Sequence, residues 1–299
     1  MSEDTTKLWV KLLVSDGTRP SPGGTTPDGR DMQRYLTAAL AFGIPAIILS
    51  SAYFGLRVLA MVVVAVASSL LVEAAFAKVR RKALSGGTVA FAVLLVLMLP
   101  PDIPLWMTAL GAAFGTLFGK EVFGGTGTHI FCPVLVGKGF LMFSYPQVVL
   151  KGSYFGSMLS SATAPFGWLT TSTLILLGGL AMVRARPMNL RIMTSIMAGA
   201  VCLAVGLAET SLFPFRFIGE LFISDGFLLG ACLLACDPAC SPRNDEGKWL
   251  YGLLIGASAV LMRSLSNYSE AMMSAILIGN TFAPTIDALS HIRLGRGDS

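Results

Sequence analysis

Charged residues are scarce in this chain, and their scarcity excludes an ordinary soluble domain. Asp, Glu, Lys and Arg make up 13% of the 299 residues, whereas a soluble domain carries about 25%. Apolar residues make up 54%, and the mean hydropathy is +0.71. The net charge of +5 comes from basic residues clustered between apolar runs, a pattern that indicates membrane topology and argues against nucleic-acid binding. The composition predicts an all-α, multi-pass integral membrane protein.

Two signatures of redox enzymes are also missing. No dinucleotide-binding glycine fingerprint follows a predicted strand, and no iron–sulfur set of cysteines is evident. We therefore expect no catalysis by this chain alone, and we assign no catalytic residue and no metal ligand from the sequence.

Apolar segments predict about ten transmembrane helices. Several are short for a bilayer, most clearly the third, which is typical of broken or re-entrant helices. The predicted segments are 35–52, 55–77, 86–101, 104–121, 130–145, 167–183, 190–208, 214–236, 248–263 and 269–288.

Basic clusters set the orientation of these segments. If all ten segments cross the membrane, every cluster falls on one side, including Lys78–Lys82 and Arg184–Arg191. The positive-inside rule then places both termini in the cytoplasm and the loop 147–166 outside. Residues 1–34 lack the apolar core of a signal peptide, so we expect an irregular cytoplasmic arm there.

A weak internal similarity predicts two repeats of five helices. The third and eighth segments carry glycine breaks near Gly87 and Gly226, and the fifth and tenth share a Gly-to-Pro stretch at Gly127–Pro133 and Gly279–Pro284. An odd number of spans per repeat makes the two halves inverted, and breaks at matching positions point to a site at the membrane midplane. The predicted regions are an arm (1–34), a first repeat (35–146), an external loop (147–166) and a second repeat (167–299).

Three carboxylates are candidates for a cation path. Glu121 adjoins the Gly124-Gly125 break, and Asp287 follows the break that ends at Pro284. Asp225 has no basic neighbour in sequence. A carboxylate in hydrocarbon needs a polar cavity, a partner or a cation, and carboxylate oxygens suit a small hard cation. The alternatives are that Glu121 pairs with a lysine such as Lys120 or Lys138 and that Asp287 ends the last helix.

Other polar residues have structural interpretations. Glu73, five residues before Lys78, is predicted to be a paired acid at the membrane surface. His129 is expected to be a hydrogen-bonded structural histidine. The cysteines at positions 232, 236 and 240 are interpreted as small apolar residues between helices, without disulfides. The alternative is a metal site formed by the three thiolates, which would require the chain to bend between Cys236 and Cys240.

Several motifs together resemble a known family. The chain is similar to the B subunit of the bacterial sodium-pumping NADH:quinone oxidoreductase and to the D subunit of Rnf electron-transport complexes. The resemblance covers nearly everything after residue 30. It rests on Asp31–Arg34, Leu99–Trp106, Gly119–Gly127, Phe143–Pro146, Asp237–Pro238, Lys248–Gly252, Glu270–Met273 and Asn280–Asp287.

The resemblance implies a covalent flavin in the external loop. The family carries FMN, joined through a phosphoester to the threonine of a Ser-Gly-Ala-Thr motif. The matching residues here are Ser160, Ser161, Ala162 and Thr163, with Ser161 in place of the glycine. Thr163 would carry the FMN, and a flavin transferase would attach it. Riboflavin is a second flavin that the family suggests. His129 and Cys132 stand where the family commonly has asparagines.

The function implied by the resemblance is a subunit of a redox-driven pump. The chain would pass electrons through flavin and move Na⁺ or H⁺ in the bacterial inner membrane, together with other membrane subunits of an oxidoreductase complex. The alternative is a flavin-free channel, transporter or structural paralogue on the same scaffold, since a fold does not dictate a function.

Overall fold

The chain forms two compact units, an N-terminal unit of residues Met1–Tyr154 and a C-terminal unit of residues Phe155–Ser299. All regular elements in the described ranges are helices. The computed structural model describes residues 29–81, 84–149, 189–209, 227–266 and 270–295.

Within the described residues, the N-terminal unit contains six helices and a π-helical turn. α4 runs directly into the turn π1, so the two form one continuous segment. The elements are α1 (Gly29–Phe54), α2 (Arg57–Arg80), α3 (Gly87–Met98), α4 (Leu105–Phe114), π1 (Gly115–Glu121), α5 (Pro133–Ser144) and the short α6 (Pro146–Val149).

Helix α3 is the core of this unit. All of its residues except Val89 are buried, and it packs against α1, α2 and α5. A helix that is apolar on every side is stable only when other helices surround it. Its 12 residues correspond to about 18 Å at a rise of about 1.5 Å per residue. α3 is therefore too short to cross a hydrocarbon core of about 30 Å by itself.

Helix α2 has one buried face and one exposed apolar face. The buried face carries residues spaced three or four apart, which lie on one side of a helix. The opposite side exposes large apolar side chains such as Leu71 and Val79, as expected where lipid replaces water. The helix ends at Arg80 and is capped by Arg81, whose left-handed φ of 54° closes the last turn. The buried residues of α2 are Val58, Met61, Ala65, Ser69 and Glu73.

Glycines let α4, π1 and α5 approach at backbone distance. A Cβ at Gly115 would lie 2.5 Å from the carbonyl oxygen of Pro133, and one at Gly137 would lie 2.5 Å from that of Gly111. Small residues at such crossings are typical of membrane helix pairs. This contact fixes π1 against the start of α5.

The C-terminal unit contains four helices and a second π-helical turn within the described residues. α9 packs against both α7 and α10, and α10 also contacts π2. The elements are α7 (Asn189–Glu209), α8 (Phe227–Leu229), π2 (Gly230–Leu234), α9 (Asp245–Ser266) and α10 (Ala271–Gly295).

The predicted apolar segments coincide with helices wherever the structure describes them, and the chain is a multi-pass membrane protein. The sixth segment lies outside the described residues, as does most of the eighth. Within the described ranges, four helices are long and apolar enough to cross a membrane by length and composition: Gly29–Ala52, Arg57–Arg80, Leu190–Leu207 and Ala271–Leu289.

Gly256 on α9 makes the closest approach to the backbone of α7. We therefore expect Gly256→Ala to destabilise the C-terminal unit. The added Cβ would lie 2.1 Å from the Ile196 carbonyl oxygen and 2.8 Å from the Ala200 nitrogen. No side-chain rotation relieves a clash with backbone, so the cost should reach the upper part of the usual 1–3 kcal/mol (roughly) for overpacking. The matched control is Gly206→Ala on α7, where nothing lies within 4 Å of the new Cβ. Thermal unfolding in detergent should show a lower Tm for Gly256→Ala only. Equal Tm values would contradict this packing.

Candidate functional site

Glu121 is the last residue of π1, and its side chain is only 7% exposed. Backbone bonds of the π type surround it. The Val122 N–H donates to the Leu117 carbonyl at 2.9 Å, and the Gly125 N–H donates to the Lys120 carbonyl at 3.2 Å. Each bond spans five residues instead of four. Such π turns are frequent at functional sites.

Lys120 lies beside Glu121, and its ammonium group is enclosed by side-chain oxygens. Nζ donates to Glu73 Oε1 at 2.7 Å, Ser85 Oγ at 2.9 Å and Thr88 Oγ1 at 2.5 Å. Glu121 Oε1 is a fourth oxygen at 3.3 Å. The lysine side chain is 1% exposed. We call the four residues that supply these oxygens the lysine cage. The three N–H donors of the ammonium group are all used within it.

Glu73 is the buried counter-charge of Lys120, so the expectation of a surface acid paired near Lys78 is wrong. The side chain of Glu73 is 5% exposed, and its partner lies 47 residues away in sequence. Glu73 also accepts hydrogen bonds from the Ser85 N–H at 2.8 Å and the Thr88 hydroxyl at 2.5 Å. These donors lie at the start of α3, where the helix dipole favours a negative charge. The packed face of α2 therefore carries Glu73 inward.

Arg80 covers the outer side of the cage. Its Nη2 donates to the Glu121 carbonyl oxygen at 2.6 Å, and its Nη1 lies 3.5 Å from Glu121 Oε2. The guanidinium also lies over the Phe76 ring, 5.2 Å from its centroid. Two carboxylates thus face two cations, and the network has no net charge. Arg80 is 29% exposed, so it is the member that meets solvent.

The cage lies toward one end of the N-terminal unit. At the opposite end of α2, Arg57 donates to the Asp102 and Ile103 carbonyls that precede α4. α2 and the α4–π1 segment therefore run in the same direction. Glu73 is seven residues before Arg80, or about 10 Å along the helix axis. Glu73 therefore lies about two helical turns before the end of α2.

His129 is buried in the loop after π1. Its Nδ1 accepts the Gly127 N–H at 3.4 Å, and its ring makes an edge contact with Phe91. These contacts agree with the expected structural histidine. The Ser85 and Thr126 hydroxyls lie 2.5 Å apart and join the same loop to the lysine cage.

Asp287 does not end the last helix, which continues to Gly295. Its carboxylate accepts hydrogen bonds from the backbone N–H groups of Arg243 and Asn244, at 3.0 and 3.4 Å from Oδ1. Asp287 thus holds the turn that precedes α9. Its role in a cation path stays a prediction. The other predicted site residues, Asp225 and the flavin motif from Ser160 to Thr163, lie outside the described residues.

The start of α9 carries a polar cluster that the sequence does not single out. Asp245 pairs with Arg191 and with Lys248, whose Nζ lies 3.1 Å from its Oδ1. The hydrogen bond from Arg191, followed by that from Lys248, holds the pKa of the Asp245 carboxyl below its usual range. The pair of Arg191 and Asp245 is exposed, so it contributes about 0–1 kcal/mol.

The cysteines predicted to pack between helices are buried. Cys232 lies in π2, and the Cys236 thiol lies 3.7 Å from the Ala231 carbonyl oxygen. Cys240 is buried as well, and all three are free of disulfide bonds. This packing agrees with the interpretation made from the sequence.

These features define a multi-pass membrane protein with an ionised network buried among its helices, an arrangement that is costly in a membrane and is usually functional. The chain belongs to the family described as the NQR2, RnfD, RnfE family, which it matches over residues 21–294.

Three relatives show the degree of similarity. Each is named as the B subunit of a Na(+)-translocating NADH-quinone reductase. Those of Pseudomonas aeruginosa and Azotobacter vinelandii are 36% identical to this chain, over 251 and 252 residues. Each match covers 72% of the chain and 62% of the relative. The protein of Klebsiella pneumoniae is 32% identical over 257 residues, covering 73% of the chain and 62% of the relative. The chain thus spans less than two thirds of these relatives.

Proposed function

We propose that this chain is a membrane subunit of a redox-driven, cation-translocating electron-transport complex of the NADH:quinone reductase or Rnf type. The observation that carries the proposal is the buried pair of Lys120 and Glu73 beside Glu121, on a π turn within a member of this family. The relatives are named Na(+)-translocating, which favours Na⁺ over H⁺ as the cation. Other membrane subunits of the complex would be the partners.

In this proposal Thr163 holds FMN on the external side of the bacterial inner membrane, with both termini in the cytoplasm. A threonine hydroxyl can form the phosphoester, and an exposed loop is accessible to a flavin transferase. Ser160, Ser161 and Ala162 would form the recognised motif. FMN would supply one-electron and two-electron redox chemistry, and riboflavin would be a second flavin.

Glu121 is proposed to lie on the cation path, and we add Glu73 to that proposal because it is buried and shares Lys120 with Glu121. Both carboxylates are buried and are paired with Lys120 or Arg80, and buried acids in membrane helices are usually functional. Asp287 and Asp225 are proposed as the path's carboxylates in the second of two inverted five-helix repeats. Weak matches between Gly127–Pro133 and Gly279–Pro284 support that repeat.

The test is redox-driven uptake of labelled Na⁺ by proteoliposomes that contain the purified complex. We expect uptake only when the electron donor is present. In the Glu121→Gln and Asp287→Asn variants, half-maximal turnover should need at least about tenfold more Na⁺, because a charged ligand contributes roughly 1.5–3 kcal/mol.

Glu246→Gln is the matched control, since Glu246 is an exposed acid at the start of α9. It should leave the Na⁺ dependence unchanged. Passive Na⁺ flux without reductant and without flavin would support the channel alternative. Unchanged Na⁺ dependence in both site variants would mean that Glu121 and Asp287 have structural roles and do not bind the transported cation.

A further inference from the structure

Helix α2 exposes one continuous apolar face over several turns. The residues of this face are spaced three or four apart, which places them on one side of the helix. That side is opposite to the buried side that carries Glu73. We call this face the outer stripe, and it consists of four exposed residues: Val63, Ala67, Leu71 and Ala74.

Two cations lie where the outer stripe ends. Lys78 and Arg81 continue the same helical spacing, and both are exposed. Among the described residues neither of them has an ion-pair partner. Arg80 differs, because it turns inward and pairs with Glu121. The C-terminal end of a helix contributes a partial charge of only about −0.5. Two full positive charges outweigh it, so the end of the stripe is electropositive.

We propose that the outer stripe and its two cations bind one anionic phospholipid. Its headgroup phosphate lies at Lys78 and Arg81, and an acyl chain lies along the stripe. The stripe is about 16 Å long at a rise of about 1.5 Å per residue. This length matches one leaflet, which is about 15 Å or half of the hydrocarbon core. The site needs neither the flavin nor the cation path, and it goes beyond the proposed function.

The two unpaired charges select the kind of lipid. Phosphate oxygens accept charge-assisted hydrogen bonds from lysine and arginine. A zwitterionic headgroup brings an ammonium group as well, which would add a third positive charge beside Lys78 and Arg81. An anionic headgroup brings a net negative charge and balances part of theirs. Each Lys or Arg near the membrane surface strengthens binding to anionic lipid by about fivefold.

An acyl chain fits the outer stripe better than a helix of another subunit. Membrane helices pair through small residues that let their backbones approach, as Gly115 and Gly137 do where π1 meets α5. Val63 and Leu71 are larger and exposed, so they would hold a facing helix away. A flexible acyl chain can follow the alternation of large and small side chains along the stripe.

The experiment locates the bound lipid by crosslinking. The full-length chain is purified with its co-purifying partners and mixed with phosphatidylglycerol or phosphatidylcholine, each carrying the same photoactivatable diazirine on one acyl chain. Peptide mass spectrometry then identifies the crosslinked residues. We expect the phosphatidylglycerol probe to label residues 63–74 of the wild-type chain. The phosphatidylcholine probe should label them at least about fivefold less.

Variants test the two cations directly. Lys78→Gln and Arg81→Gln should each raise the concentration of unlabelled phosphatidylglycerol that halves the labelling by about fivefold, and the double variant by about thirtyfold. Lys78→Arg keeps the charge and should behave like the wild-type chain. Arg243→Gln is the matched control, because it removes an exposed cation from the C-terminal unit. It should leave the labelling unchanged.

Inorganic phosphate distinguishes a lipid site from a simple anion site. It should not displace the probe at the concentrations at which phosphatidylglycerol does, because it makes no contact with the stripe. Displacement at those concentrations would overturn the proposal in favour of a site for free anions. Equal labelling by the two probes, or a double variant that behaves like the wild-type chain, would also overturn it. If neither probe labels residues 63–74, another subunit covers this face and the proposal is wrong.

Discussion

Replacing Lys120 with methionine is expected to destabilise the N-terminal unit by about 3–5 kcal/mol, the usual cost of removing one partner from a buried ion pair. Glu73 would keep its hydrogen bonds from Ser85 and Thr88 but lose its counter-charge. No other cation lies within ion-pair distance of Glu73 among the described residues. Thermal unfolding in detergent, in choline buffer, should show a large fall in Tm.

Replacing Glu73 should lower the stability less than replacing Lys120. This difference between the two partners makes the prediction specific. In Glu73→Gln, the Lys120 ammonium still has Glu121 at 3.3 Å, and the amide oxygen can still accept a hydrogen bond. The double variant of Lys120→Met and Glu73→Gln should be more stable than Lys120→Met alone, because no buried carboxylate is left without a partner. If Lys120→Met were as stable as the wild-type chain, the pair would contribute nothing to stability.

Thr163→Ala should abolish covalent flavin on this chain. The hydroxyl is the only atom of the side chain that can form the phosphoester, so the loss should be complete and not graded. Intact-mass measurement and flavin fluorescence on a denaturing gel would report it, using membranes that co-express a flavin transferase. The variant should insert into the membrane in wild-type amounts, because Thr163 belongs to a loop that the sequence predicts to be external and such loops contribute little to packing.

Ser157→Ala is the matched control for this loss, since it removes a hydroxyl from the same predicted loop but outside the motif. It should keep the flavin. Ser161→Gly restores the glycine of the family motif and should carry at least as much flavin as the wild-type chain. Flavin retained after Thr163→Ala would show that the flavin is attached to another residue. A native complex without covalent flavin would show that no such attachment exists.

The helices are predictable because apolar runs bounded by polar residues carry most of the signal. The third segment is predicted at 86–101 and observed at Gly87–Met98. Gly87 and the Leu99–Pro100 step mark its ends. The π geometry is not predictable, because it depends on how close α5 approaches. Pro133 and Gly137 on α5 contact glycines that lie far away in sequence.

Of the two buried carboxylates in the candidate site, the sequence singles out Glu121 but not Glu73. Glu121 stands out because it adjoins Gly124-Gly125. The interpretation of Glu73 as a surface acid is wrong because it rests on the distance to Lys78 along the chain and not on the helical face. Glu73 lies four residues after Ser69 and eight after Ala65, both small and buried on the same face of α2. That spacing is a signal in the sequence. The partner of Glu73 is not predictable, since only the fold brings Lys120 to it.

The separation of 47 residues between Glu73 and Lys120 has a consequence for biosynthesis. A chain grows at about 5–20 residues per second, so roughly 2–9 s pass between the synthesis of the two residues. Throughout that interval the Glu73 carboxylate lacks the lysine with which it pairs in the folded unit. We expect the newly made helix to stay in a hydrated surrounding, such as the insertion machinery, until π1 has been synthesised, because an unpaired carboxylate is costly in hydrocarbon. A slower stretch of translation between α3 and π1 would lengthen this exposure, and quality-control proteases would then have more time to act on the half-made unit.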